Sequence, residues 1–321
     1  MHYSPQPLHI PDGFLSVIVS LILWAISILV VGYALRRVGR DMGERQVPMM
    51  GVLAAAIFAG QMLNFSVAGG TSGHLMGAAI GTILLGPWAG ILVMTCVVSI
   101  QALIFQDGGL LALGANIFNM GFIGVAVSYM AYRTVQKLAG GRRWGLFAGG
   151  FMAAWLSVEL SALSVALQLA LSGTSPANLA IPAMAGVHAL IGIGEGLITV
   201  GALAFIAAAR GEMLKAGESQ PAGGVVWVFG LLAAIGLAVA SPLASSNPDG
   251  LNWVAKRYGF MGLEQGPLYN LIPNYIFPGI SNGALASIAA GILGTMMVFG
   301  VALAVAILRR SKSGPKRLEN P

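Results

Sequence analysis

Charge is what this chain has least of: Asp, Glu, Lys and Arg make up 9% of its 321 residues, against 57% apolar ones. So little charge cannot clothe a folded surface in water, which excludes a soluble globular enzyme or binding domain. A single cysteine, Cys96, rules out an intrachain disulfide framework and reads as a packed apolar thiol. No G-x-x-x-x-G-K-[ST] phosphate loop occurs and no polar stretch is long enough for an ATPase, so any nucleotide chemistry would lie in other subunits. The H-E-x-x-H pair of intramembrane or soluble zinc hydrolases is also missing, which argues against an enzyme. Without an internal repeat at fixed period, an inverted-repeat carrier finds no support either.

What the chain does have is long apolar runs. Residues 14–35 carry no charge and stop at Arg36, Arg37 and Arg40, enough to cross a hydrocarbon core of about 30 Å. The run is too long for a signal-peptide core and its positive charges follow it, so it is read as a retained span. Charge-poor segments at 47–63, 74–86, 88–105, 111–132, 146–171, 182–209, 225–241 and 284–308 predict nine spans in an all-α polytopic membrane protein. The third is short and begins among Gly69, Gly70, Gly73 and Gly77, which suggests a re-entrant entry sheltered by protein. Counted on alternate sides of these spans, fifteen Lys and Arg fall on one side and only Lys256 and Arg257 on the other. Positive charge marks the cytoplasmic side, so the amino terminus is expected outside and the carboxyl terminus inside. The net charge of +6 is then topology, calling for membrane lipid as neighbour and no nucleic acid.

These boundaries divide the chain into an external segment 1–13, a seven-span body 14–209, a polar cytoplasmic linker 210–224, a two-span module 225–310 with an external loop 242–283, and a basic tail 311–321. Polar groups at membrane depth are few and costly, so function is sought there. Asn116 and Asn119 are three apart, either bonding a neighbouring helix or supporting a site. Asp107 reads as a turn residue at the outer surface. Glu159 and Glu195 are either hydrogen-bonded acids or ion-handling groups. Of the four histidines, His188 reads as a bond between helices. His9 and His74 stand out because both fall on the outer side beside glycine-rich backbone, and Asp12 is near enough in sequence to orient the His9 ring.

At these residues the chain resembles the substrate-specific membrane components of energy-coupling-factor nickel and cobalt uptake systems, the CbiM/NikM type. His9-Ile10-Pro11-Asp12-Gly13-Phe14-Leu15-Ser16 is similar to the family's amino-terminal motif. Gly70 to Gly77, Leu85-Gly86-Pro87-Trp88-Ala89, Asp107-Gly108-Gly109 and Gly114-Ala115-Asn116-Ile117-Phe118-Asn119-Met120 resemble its central signature, and His188 with Gly192-Ile193-Gly194-Glu195 its last body helix. Ser241-Pro242-Leu243-Ala244 and Pro248-Asp249-Gly250-Leu251 are similar to the two-span accessory component of nickel systems, with Asn252 where a glutamate often stands.

The resemblance implies capture of Ni2+, or Co2+, as transported substrate by the binding subunit of an ATP-driven transporter in a bacterial or archaeal cytoplasmic membrane. It implies a transmembrane coupling subunit and cytoplasmic ATPases as partners, with no catalytic residue and no cofactor. The implied ligands are a terminal amine, the deprotonated amide and the imidazole of a histidine in the next position, and His74 as fourth nitrogen; a square plane of nitrogens suits Ni(II), and Cu(II) would also fit. Here seven residues precede the motif. The expectation is therefore that the functional chain begins at Leu8, giving Leu8 amine, His9 and His74, or else that Met1 and His2 build the chelate. Asp12, Asn64, Ser72, Asn116 and Asn119 are expected to support the site or line the path. An autonomous proton-coupled carrier using Glu159 and Glu195 is the alternative.

Overall fold

The computed structural model describes residues 8–43, 46–210 and 224–311. Six helices among them are long and apolar enough to cross a membrane: Val17–Arg40, Pro87–Phe105, Leu113–Ala139, Arg143–Leu171, Ala177–Ala209 and Gly283–Arg310. Two shorter apolar helices, Gln46–Gln61 and Trp227–Val239, accompany them. In chain order the helices are α1 (Val17–Asp41), α2 (Gln46–Gln61), α3 (Ala78–Leu85), α4 (Pro87–Phe105), α5 (Leu113–Asn116), α6 (Gly124–Ala139), α7 (Arg143–Leu171), α8 (Ala177–Arg210), α9 (Gly224–Val239), α10 (Gly250–Arg257) and α11 (Gly283–Ser311). Ser16 starts α1 as an N-cap, its hydroxyl accepting from Val19 N at 3.3 Å. A π-helical turn, Ile117–Ile123, joins α5 to α6 within one continuous rod.

The third apolar segment is not a span. Residues 74–77 are irregular and α3 has eight residues, about 12 Å of rise, too short to cross hydrocarbon. Before it stands a feature absent from the all-α expectation: an antiparallel hairpin of β1 (Phe65–Val67) and β2 (Thr71–Gly73), in the register Phe65↔Gly73, Ser66↔Ser72, Val67↔Thr71. Gly69 and Gly70 turn it with φ of 79° and 77°.

Helix α2 is buried nearly all round, as a helix without a polar face must be, and it packs against α4, α9 and α11. One apolar cluster therefore runs from Met50, Ile57 and Phe58 through Phe105 to Tyr275, Val298 and Ala302. A second joins Ile10, Phe14 and Leu15 to Ala166 and Met184 on α7 and α8 and to Leu251 and Val254 of α10. The segment after residue 224 thus shares its core with the preceding helices. Loop 242–283 lies along the hairpin and the α4 end. Ser72 N donates to Pro248 O at 2.8 Å, Ser72 Oγ to Asn247 O at 2.8 Å, Ser245 N to Asn64 O at 2.8 Å and Ile272 N to Ile104 O at 3.1 Å.

Candidate metal site

The amino-terminal segment, residues 74–76 after the hairpin, α5 with the π-helical turn, α7, α8 and the 249–251 stretch of loop 242–283 meet at a cavity of about 90 Å³. Leu8, His9, His74, Asn116, Asn119, His188 and Asp249 border it with apolar residues including Met76 and Met184. Apart from Asn116 and Asn119, which share one rod, the polar side chains arrive on different segments, so the cavity is a product of tertiary folding.

Asp107 holds the segment in place. Its Oδ1 accepts from Leu8 N at 2.6 Å and His9 N at 3.2 Å and lies 3.2 Å from His9 Nδ1, while Oδ2 accepts from Tyr275 OH at 2.6 Å. The carboxylate is 1% exposed, so the reading of Asp107 as a surface turn residue is corrected. Burial by itself would raise its pKa, but the His9 charge and hydrogen bond, with donations from Tyr275 and Leu8, bring it down to about 2. For His9 burial acts downward and the Asp107 charge and bonds outweigh it, so its pKa is raised. Gly108, at φ +97°, has no room for a side chain, because a Cβ would sit 2.9 Å from both His9 Cβ and Asn116 Nδ2.

Asp12 does not orient His9. Its oxygens accept from Leu110 N at 3.0 Å and Ala112 N at 2.9 Å, pinning the segment to the chain before α5. Asn116 accepts from Ile10 N at 3.0 Å and donates to Ile10 O at 3.1 Å, treating residue 10 as a strand partner. Asn119 exchanges two hydrogen bonds with Gln168 of α7, at 2.9 and 2.8 Å. Ser72 and Asn64 are committed to loop 242–283, as above, and Asn64 Oδ1 is buried without a hydrogen-bond partner among the described residues. Met1 and His2 lie outside the described residues.

His74 stands T-shaped to His9, ring centres 5.8 Å apart, with Nδ1 3.1 Å from Leu75 O and Nε2 4.0 Å from Asp249 Oδ1. The loop bearing it is anchored from α8: both Glu195 oxygens accept backbone N–H groups, from Met76 at 2.5 Å and Gly77 at 2.9 Å, so this carboxylate caps α3. His188, read as a bond between helices, instead faces Met184 O of its own helix through Nδ1 at 2.8 Å and borders the cavity. Asp249, Tyr275 and His188 were missed at the site because their signals were ordinary: an Asp before a short helix, a loop tyrosine, a lone helical histidine. No three His, Cys, Asp or Glu side chains among the described residues yet close on a single ion position.

The family model described as "Cobalt uptake substrate-specific transmembrane region" matches residues 9–213, and the PDGLE domain model matches residues 224–311. The chain is 36% identical over 301 residues to the putative fused nickel transport protein NikMN of Archaeoglobus fulgidus, covering 93% of this chain and 98% of that protein. It is 42% identical over 209 residues to a putative metal transport protein of Haloquadratum walsbyi, 64% of this chain and 93% of that protein. The crystal structure of a truncated transition metal transporter superposes with a TM-score of 0.56 at 33% identity, covering 63% of this chain and 99% of that one.

Proposed function

This chain belongs to the family of cobalt-uptake substrate-specific transmembrane regions, with a PDGLE domain following, and on that premise we propose that it captures Ni2+, or Co2+, at the cavity between His9 and His74 for uptake. It is a multi-pass membrane transport protein and not an enzyme.

The observation that carries the reading is the gathering of Leu8 N, His9 N and His9 Nδ1 around one oxygen of Asp107, at 2.6, 3.2 and 3.2 Å. These are the three nitrogens of an amine–amide–imidazole chelate, provided the functional chain begins at residue 8. His74, whose ring lies beside His9, is the fourth donor in this reading. Binding releases the amide proton, which requires the nitrogens to turn from the carboxylate to the ion. Four nitrogens in a square plane favour Ni2+ over Co2+, and nickel is the metal for which the fused Archaeoglobus relative is named.

The division into body, linker and two-span module, with the amino terminus outside, belongs to this proposal, as do the coupling subunit and ATPases. A proton-coupled carrier loses its best buried carboxylate, since both Glu195 oxygens are engaged in capping α3. The test is metal content of protein purified after growth on mixed nickel and cobalt. Stoichiometric nickel that vanishes in H74A, on monodisperse protein, is expected; full metal content in H74A would reject the site. Uptake into vesicles that needs ATPase partners and survives a proton uncoupler supports the ATP-driven form, and uncoupler-sensitive uptake by the chain alone rejects it.

A further inference from the structure

We propose that the same cavity holds a second cation position made of side chains alone, with Nε2 of His9, His74 and His188 and the carboxylate of Asp249 as donors. This rests on the metal-uptake reading, but unlike the chelate it needs no free amino terminus.

The first argument is tautomeric. All three histidines turn Nδ1 toward an oxygen: His9 toward Asp107 O at 3.3 Å and Oδ1 at 3.2 Å, His74 toward Leu75 O at 3.1 Å, His188 toward Met184 O at 2.8 Å. An oxygen at Nδ1 selects, in the neutral ring that binds a metal, the tautomer with its proton on Nδ1 and its lone pair on Nε2. His9 Nε2 is the telling atom, for it is buried on a residue 4% exposed and has no hydrogen-bond partner among the described residues. An orphaned buried nitrogen is costly unless something fills the place beside it.

Distances supply the second argument. Two imidazoles on one ion, with bonds of about 2.1 Å, set their ring centres roughly 4.5–6.5 Å apart, and His9 and His74 are at 5.8 Å. Two donor atoms on one ion stand roughly 3–4.2 Å apart, and His74 Nε2 and Asp249 Oδ1 are at 4.0 Å, too far for a hydrogen bond. His188 comes in against the residue after Asp249: a Cβ on Gly250 would lie 3.0 Å from His188 Nε2, so glycine there is what lets the ring approach. Asp249 is the single carboxylate among the residues bordering the cavity, and Pro248 O, held by Ser72 N, fixes its backbone. The four donors do not yet meet at one point, which leaves side-chain rotation within the cavity as the closing step.

Three imidazoles and a carboxylate suit a tetrahedral divalent ion such as Co2+ or Zn2+, whereas the amine chelate favours square-planar Ni2+. The experiment uses the full 321-residue chain in detergent, its start verified by intact mass, carrying H2A to remove the other terminal chelate. Equilibrium dialysis with Co2+ and Ni2+ gives affinity, and the visible spectrum of bound Co2+ gives geometry. Stoichiometric Co2+ with intense tetrahedral bands is expected, and H188Q or D249N, each added to H2A, should weaken binding at least tenfold and abolish those bands. Asn preserves the cap that Asp249 places on Leu251 N, so D249N removes the charge and not the helix start, and it decides the matter should H188Q fail to yield monodisperse protein. Binding within twofold of H2A in both variants overturns the proposal. So does an H2A chain that binds nothing while a chain beginning at residue 8 does, an outcome that leaves the uptake reading intact. If no form binds either ion, that reading falls too.

Discussion

Asp107 shows how one side chain sets a whole segment. Its carboxylate gathers two backbone amides, a ring nitrogen and a phenol from parts of the chain about one hundred and one hundred and seventy residues away in sequence. Hydrogen bonds to a buried charge are each worth about 1.5–3 kcal/mol, so D107N should loosen residues 8–12 and lower metal affinity by tenfold or more. Hydrogen exchange of the amino-terminal peptide and dialysis with Ni2+ read the two effects; an unchanged affinity would show that the clamp does not order the ligands. The pH dependence has a definite sign. A carboxyl depressed from 3.8 to about 2 contributes stability that is present above its ordinary value and is lost as pH falls through the native one. On the order of 2 kcal/mol should therefore disappear between about pH 4 and 2. Thermal unfolding across that range should fall more steeply for the unsubstituted chain than for D107N, and parallel slopes would contradict the assignment.

Helix contacts in this fold depend on positions where a side chain is absent. Gly114, in the first turn of the rod of α5 and α6, lies directly against α1: a Cβ there would come within 2.5 Å of Trp24 Cα and 2.7 Å of Trp24 N, and Ser27 Oγ donates to Gly114 O at 2.7 Å. Those are backbone atoms, which no rotamer change can move aside. G114A should separate α1 from α5 and cost several kcal/mol by overpacking, in the upper part of the roughly 1–3 kcal/mol range or beyond. A large loss of monodisperse protein and of thermal stability is the expected result; wild-type stability would mean that α1 shifts freely. The hairpin and the short α3 belong to the same scale. Strands of three residues fall below any detectable alternation, and a 13-residue apolar run reads alike as a short span or as a buried loop with one helical turn pair. Glu195, tying residues 76 and 77 to α8, decided between them.

Taken whole, the molecule is held together across the boundary at 210–224. The apolar cluster that includes Phe58 and Phe105 also includes Tyr275, Val298 and Ala302, and α11 lies along α2. Chains split between residues 217 and 224 and expressed together should therefore associate, and a tag on one half should retain the other in detergent. Halves that separate cleanly would show that the shared core contributes little. Separate expression of residues 1–217 would expose the buried face of α2 and remove Asp249 and Tyr275 from the cavity, so weaker metal retention is expected of it by dialysis.

Membrane residence, the long helices and the family were legible in the sequence because they rest on composition, run length and local motif, all of which the backbone carries without help from distant residues. The motifs that carry His9 and His74 were legible for the same reason, each marked by glycines of its own. Asp107, His188, Asp249 and Tyr275 were not, because nothing local separates a buried clamp from a turn residue or a lining histidine from one that binds a neighbouring helix. Their places follow from pairings between the amino-terminal segment, the 107–109 turn, the hairpin and loop 242–283, contacts from 98 residues apart in sequence (His9 to Asp107) to 253 (Asp12 to Gln265). A buried polar group takes its role from whichever partner the fold brings to it, and that partner only the tertiary structure decides.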